Sequence, residues 1–157
     1  PLNDAFLAAA VRRCGAALQR MKLQSLVSAL LLARLEGNEL YMCAAGMPFP
    51  LIRRSGGALE TIEIAGMPLG SVRAFPYRAH RVALGTGDAL LLMSDGFPEL
   101  QNRAGELLGY DRAGELFSDA AALPAAGIVE RLVEEGDAWR DGLELEDDVT
   151  FVVLKMR

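Results

Sequence analysis

Residues 85–96 read GTGDALLLMSDG: a glycine-containing turn, an unbroken apolar run from Ala89 to Met93, and an acid, Asp95, followed by Gly96. A strand with one face in water alternates apolar and polar residues, whereas this run is apolar on both faces. It therefore predicts a central strand covered on both sides. Upstream, Tyr77 to Leu84 reads as a strand leading into the Gly85-Thr86-Gly87-Asp88 turn. Further back, SLVSALLLARL (25–35), the Glu36-Gly37-Asn38 turn and ELYMCAA (39–45) read as a hairpin, its first strand buried. A second hairpin places Pro50 to Arg54 and Leu59 to Ile64 around Ser55-Gly56-Gly57. At the start of the chain, Asn3 or Asp4 caps a helix running to about Met21. Its apolar positions are Phe6, Leu7, Ala10, Val11, Ala17, Leu18 and Met21, opposite Arg12, Arg13 and Arg20. Downstream, Tyr110 to Phe117 and Pro124 to Trp139 carry helical spacing, with Pro124 in the first turn, and Val149 to Leu154 is a last strand. This order gives an α+β domain rather than alternating βαβ units.

The chain has 157 residues and a net charge of −5, with 52% hydrophobic and 24% charged residues. That is enough for one domain, residues 1–157, with its own core. Two cysteines, Cys14 and Cys43, without a Cys-x-x-Cys or Cys/His cluster, exclude a disulfide framework or zinc site and point to a reducing cytoplasm. Both read as buried small apolar residues. The acidic balance, with no basic stripe, argues against a nucleic-acid partner. The strongest apolar stretch is interrupted by Arg34 and falls short of the ~20 residues of a membrane helix, so no membrane contact is expected.

Two places carry acids at strand ends: Ser94-Asp95-Gly96, and Glu146-Asp147-Asp148 before the last strand. An acid closing an apolar strand is desolvated on one side, which is costly unless a cation or hydrogen bonds compensate. A hard divalent ion such as magnesium or manganese is one such compensator. Taken alone, these residues favour the plainer reading, in which Asp95 starts an Asp-Gly turn and 146–148 is a solvated loop. Of the remaining polar groups, His80 reads as a surface strand residue and Arg53-Arg54 as a solvated hairpin tip. Glu134, Glu135, Asp137 and Asp141 read as a solvated acidic face around Trp139.

The blocks AAGMPFPLIRRSGG, GMPLGSV, GDALLLMSDGFPELQNRAGELLGYDR and EDDVTFVVLKMR change this balance. In order and spacing they resemble the bacterial serine phosphatases of the sporulation-stage-II-protein-E type, within the metal-dependent type 2C (PPM) protein phosphatases. The resemblance spans about Leu23 to Arg157. It implies a β-sandwich of two antiparallel sheets flanked by helices, with two manganese or magnesium ions in a cleft at its edge. By the Ser/Thr-Asp-Gly and Asp-Asp/Asn-x-Thr motifs it implies Asp95 and Asp147 as metal ligands, with Asp148 an alternate candidate. The implied reaction is hydrolysis of a phosphoserine or phosphothreonine monoester by metal-activated water, with no protein nucleophile. A phosphorylated anti-sigma-factor antagonist or similar small signalling protein is the implied substrate.

The sequence also departs from the family pattern. An upstream Asp-containing strand and a Gly-Asp-x-Ser-Gly-His-Gly-like segment, whose acid bridges both metals, do not occur in these residues. The first strands and first helix are accordingly expected to precede Pro1, leaving one ion or none here, weak or no catalysis by this chain alone, and a homodimer or strand exchange as an outcome. Ala44-Ala45-Gly46-Met47-Pro48 stands where the family commonly reads Asn-Ala-Gly-His-Pro, which favours the alternative of a noncatalytic, phosphatase-like interaction module.

Overall fold

In the computed structural model, residues 4–21 and 26–157 are described. The capping role expected of Asn3 or Asp4, and the first residue of the expected strand at Ser25, lie outside what can be described. The element order is α1 (Asp4–Arg20), β1 (Leu30–Glu36), β2 (Glu39–Ala45), β3 (Leu51–Arg53), β4 (Leu59–Thr61), β5 (His80–Ala83), β6 (Ala89–Met93), α2 (Tyr110–Ala120), α3 (Ala125–Arg140) and β7 (Phe151–Lys155). The fold is α+β with two antiparallel sheets, one of order β1-β2-β5 and one of order β4-β3-β6-β7. Among the described residues no helix is long and apolar enough to cross a membrane.

The chain forms two compact units, each built from two stretches: Pro1–Met47 with Glu63–Leu84, and Pro48–Ile62 with Gly85–Arg157. In the first unit, β2 is the middle strand, paired with β1 from Leu30↔Ala45 to Glu36↔Glu39 and with β5 from Glu39↔Ala83 to Met42↔His80. Its Met42 to Ala45 are buried. The expected burial of the first hairpin strand is not found: β1 is an edge strand whose residues are half-buried or exposed, and regular pairing starts at Leu30. A strand paired on one side only gives up less surface, whatever its composition. The α1 stripe is also shifted from the expected one. Leu7, Ala8 and Val11 are buried with Cys43, Ala45, Leu69 and Tyr77, while Phe6 and Met21 are exposed. Cys14 is exposed too, against expectation, and Cys43 is buried. Tyr77 closes this core by donating from its hydroxyl to the Met67 carbonyl (2.7 Å).

In the second unit, β6 is interior, paired with β3 on one side (Leu51↔Leu91) and with β7 on the other (Leu91↔Val153). Ala89, Leu90, Leu91 and Met93 are buried, as the unbroken apolar run required. The core joins Ala89, Leu91 and Met93 to Phe97, Leu116, Phe117, Ile128 and Leu132, so α2 and α3 pack their apolar faces on this side of the sheet. Phe97 meets Phe151 of β7 edge-on at 4.8 Å, a favourable arrangement for aromatic quadrupoles. Pro124 is the N-cap of α3 rather than its first helical residue, and Asp141 ends the helix in a left-handed conformation.

Candidate functional site

The β6–β7 register determines where the expected ligands stand. Met93 pairs with Phe151, and one step further the Ser94 N–H donates to the Thr150 carbonyl at 3.0 Å. The Ser94 hydroxyl lies 2.9 Å from both the Asp148 carbonyl and the Thr150 N–H, donating to the first and accepting from the second. Asp95 and the 147–148 segment therefore leave the strand pair at the same end. Gly96 explains the close fit: a Cβ there would fall 2.5 Å from the Asp148 carbonyl oxygen, so only glycine lets the backbones approach. Asp147 turns its carboxylate back to accept from the Asp148 N–H (2.7 Å).

Asp95, Asp147 and Asp148 are all exposed. The one-sided desolvation expected for Asp95 is thus not found. The run ends one residue earlier, and 95–99 form a turn in which the Glu99 N–H donates to the Asp95 carbonyl (3.0 Å). These carboxylate oxygens are the hard donors that magnesium and manganese prefer, and such ions commonly take only one or two protein carboxylates. The residues present fit such an ion as a partial set. Among the described residues, no group of three or more His, Cys, Asp or Glu is placed to hold a metal ion.

A cleft of about 470 Å³ adjoins these acids, with Gly96 and Asp147 in its wall. One side is the turn 99–107, held by the Leu108 N–H to Leu100 carbonyl bond (2.9 Å) and by Asn102, whose side chain accepts from the N–H groups of Ala104 and Glu106. The other side is residues 140–147. Trp139 ties the two together, its indole N–H donating to the Leu100 carbonyl at 3.1 Å. Arg103 does the same by reaching the carbonyl and carboxylate of Asp141. The Tyr110 hydroxyl is pushed above its ordinary pKa, first by burial and then by the negative charges of Glu99 and Asp95. Sequence reasoning named Ser94 within the Ser-Asp-Gly motif without its bracing role, and gave Glu99 and Tyr110 no role in the site. The Ser preceding the Asp-Gly pair was the one local signal available.

The buried acid of the second unit is Asp88, at the opposite end of β6. Its carboxylate accepts from the Gly85 N–H (2.9 Å), the Ser55 N–H (2.9 Å) and the Arg54 guanidinium (2.8 Å). Burial pushes its pKa up, but the two N–H groups and Arg54 outweigh this and hold it below the ordinary carboxylate value. Arg54 also binds Glu60 (2.7 Å), and the two acids hold its proton more tightly than usual. Arg53 donates to the Ser118 hydroxyl (2.8 Å). The arginine pair is thus built into the unit, not a solvated hairpin tip as the sequence suggested. His80 is exposed on β5, and Asp137 and Asp141 are exposed and paired with Arg140 and Arg103, as expected of surface groups.

Comparison with known structures gives the fold its relatives. The SiaA-PP2C domain of Pseudomonas aeruginosa matches with a TM-score of 0.83 at 21% identity, over 96% of this chain and 61% of that one. The phosphatase domain of the cell fate determinant SpoIIE from Bacillus subtilis matches at 0.60 and 23%, over 82% of this chain and 56% of that one. The catalytic domain of the serine/threonine protein phosphatase PstP, in complex with two manganese ions, matches at 0.68 and 23%, over 95% and 69%. The chain spans less than two thirds of the first two domains, and its likeness to all three is one of fold. No curated protein sequence matches the chain. The sequence profile of the Stage II sporulation protein E (SpoIIE) family matches residues 2–157, and the chain belongs to that family.

Proposed function

We propose that the chain is part of a cytoplasmic, metal-dependent protein serine/threonine phosphatase of a bacterial signalling protein, with Asp95 and Asp147 as metal ligands and Asp148 as an alternate. The carrying observation is the shared exit of Asp95 and Asp147–Asp148 from the β6–β7 pair, braced by the Ser94 hydroxyl. Family membership supports the activity, and the manganese in the PstP structure supports the choice of ion. A divalent ion, when bound, supplies water activation and stabilises charge at phosphorus. The chain's own part is positional. Ser94 fixes the backbone from which both acids project, and Gly96 lets the two segments approach. The substrate class that follows from the resemblance is a phosphorylated anti-sigma-factor antagonist or similar small signalling protein. With one ion or none held by this set of acids, the chain alone is weakly active or inactive.

The test is a manganese titration by calorimetry, beside Asp95→Ala and Asp147→Ala. Saturable binding to the parent chain, weakened at least about tenfold in each variant, is expected for two ligands of one site. No binding, or binding indifferent to both substitutions, refutes the assignment. A noncatalytic, phosphatase-like module is the second reading, favoured by Ala44 and Met47, which put apolar side chains where the family commonly has Asn and His.

A further inference from the structure

The cleft beside Asp147 has a character that the phosphatase reading does not require. Leu107, Leu143 and Leu145 line it yet are 54%, 37% and 52% exposed. Single exposed leucines are ordinary, but three around one concavity make an apolar surface. The charged lining is Glu99, Glu144, Glu146 and Asp147 against Arg140 alone. That one guanidinium is engaged by Asp137 (2.9 Å) and by the Leu143 carbonyl. Among the described residues no cation pairs with Glu99, Glu144 or Glu146, and Glu146 receives only a long 3.5 Å contact from the Gln101 amide. The volume, about 470 Å³, lies within the roughly 300–1,000 Å³ of ligand clefts.

We infer that this cleft docks a segment of the phosphoprotein substrate that carries arginine or lysine together with an apolar side chain, close to the phosphorylated residue. This rests on the phosphatase reading for what the segment belongs to; the chemistry of the segment rests on the cleft. Unpaired carboxylates attract a cationic chain and repel an anionic one, and complementary charge fixes register and partner choice more than raw affinity. The leucines supply the area that a cation alone does not bury. Asp147 lies in the cleft wall, so the docked chain runs up to the proposed metal ligands and sets which phosphorylated side chain reaches them.

The test reads binding rather than hydrolysis. A short fluorescein-labelled peptide alternating arginine and leucine around one serine is titrated with the full chain by anisotropy, with and without phosphate on the serine, beside a counterpart carrying glutamate for arginine. The arginine peptide is expected to bind at least about tenfold tighter in both phosphorylation states, with the preference shrinking as salt rises. Glu99→Lys with Glu144→Lys abolishes the preference; Leu107→Ser with Leu145→Ser weakens binding; Glu134→Lys, on the exposed face of α3, leaves it unchanged. Thermal melts confirm that the variants fold, and the salt dependence of the parent chain stands even if one does not. Equal binding of the two peptides, or a preference untouched by the glutamate substitutions, overturns the proposal. So does a dimer seen by sedimentation that Leu145→Lys dissociates, since the occupant is then a second copy. Peptide preference without manganese binding upholds the docking cleft while the phosphatase reading fails; manganese binding without peptide preference does the reverse.

Discussion

Asp88 is the side chain on which the second unit's hairpin depends. It is 3% exposed and accepts three hydrogen bonds, two from backbone N–H groups and one from Arg54. Replacing it with alanine leaves the Gly85 and Ser55 N–H groups without their acceptor and Arg54 with Glu60 as its remaining carboxylate partner in that network. The expected loss is about 3 kcal/mol, the lower end for breaking a buried pair, read as a reduced midpoint in urea. The folded pKa of Asp88 lies below its unfolded value of about 3.9. Its stabilisation is therefore fully present above that value and is lost as pH falls through the folded pKa. The parent chain should lose stability in that acid range, and Asp88→Asn should flatten that limb while leaving the slope above pH 5 unchanged. An acid limb equally steep in both proteins refutes this. None of it was visible from the sequence, which placed the costly acid at Asp95. The burial of Asp88 depends on a hairpin more than thirty residues upstream, beyond any local window. The Asp95 motif was legible because its neighbours, Ser94 and Gly96, carry their reasons locally.

Among elements, β6 was the most legible and β1 the least, although both are leucine-rich. The difference lies in their neighbours: β6 is bonded on both sides, whereas β1 has only β2, and composition does not say which strand ends up inside. In α1 the spacing was right but the face was turned, because Gly15 packs against Leu69, where an added Cβ would lie 3.4 Å from its methyl group. A glycine in a helix exposes no periodic signal. Gly136 in α3 offers a test of such contacts. A Cβ there would lie 3.0 Å from the Leu100 side chain and 3.1 Å from the Phe97 ring. Alanine gains about 1 kcal/mol of helix propensity, but overpacking costs about 1–3 kcal/mol. Phe97 is buried and packed edge-on against Phe151, which opposes a shift of its ring. Gly136→Ala should therefore lower the melting temperature by roughly 2–4 °C, the shift for a net loss near 1 kcal/mol; a raised one would show that the ring gives way.

Over the whole molecule, the α+β class and the succession of elements along the chain followed from periodicity and turn residues, and the family from four separated blocks that no single element contains. The division into two units was not legible. Each unit is interrupted by the other in sequence, and no linker-like composition marks the crossings after Met47, Ile62 and Leu84. A fragment ending at Leu84 holds every strand of the first unit's sheet but lacks β6, the partner that β3 needs on its second side. It should bind a hydrophobic dye through Leu51 and Ile52, which the full chain buries and should not offer; a dye-silent fragment would refute this. The same threading has a consequence during synthesis. The β3–β4 hairpin leaves the ribosome well before β6, and at about 5–20 residues per second it waits for seconds with an open edge. In that interval the open edge of β3 is free to mispair, and Leu51 and Ile52, which the finished protein conceals, stand in water.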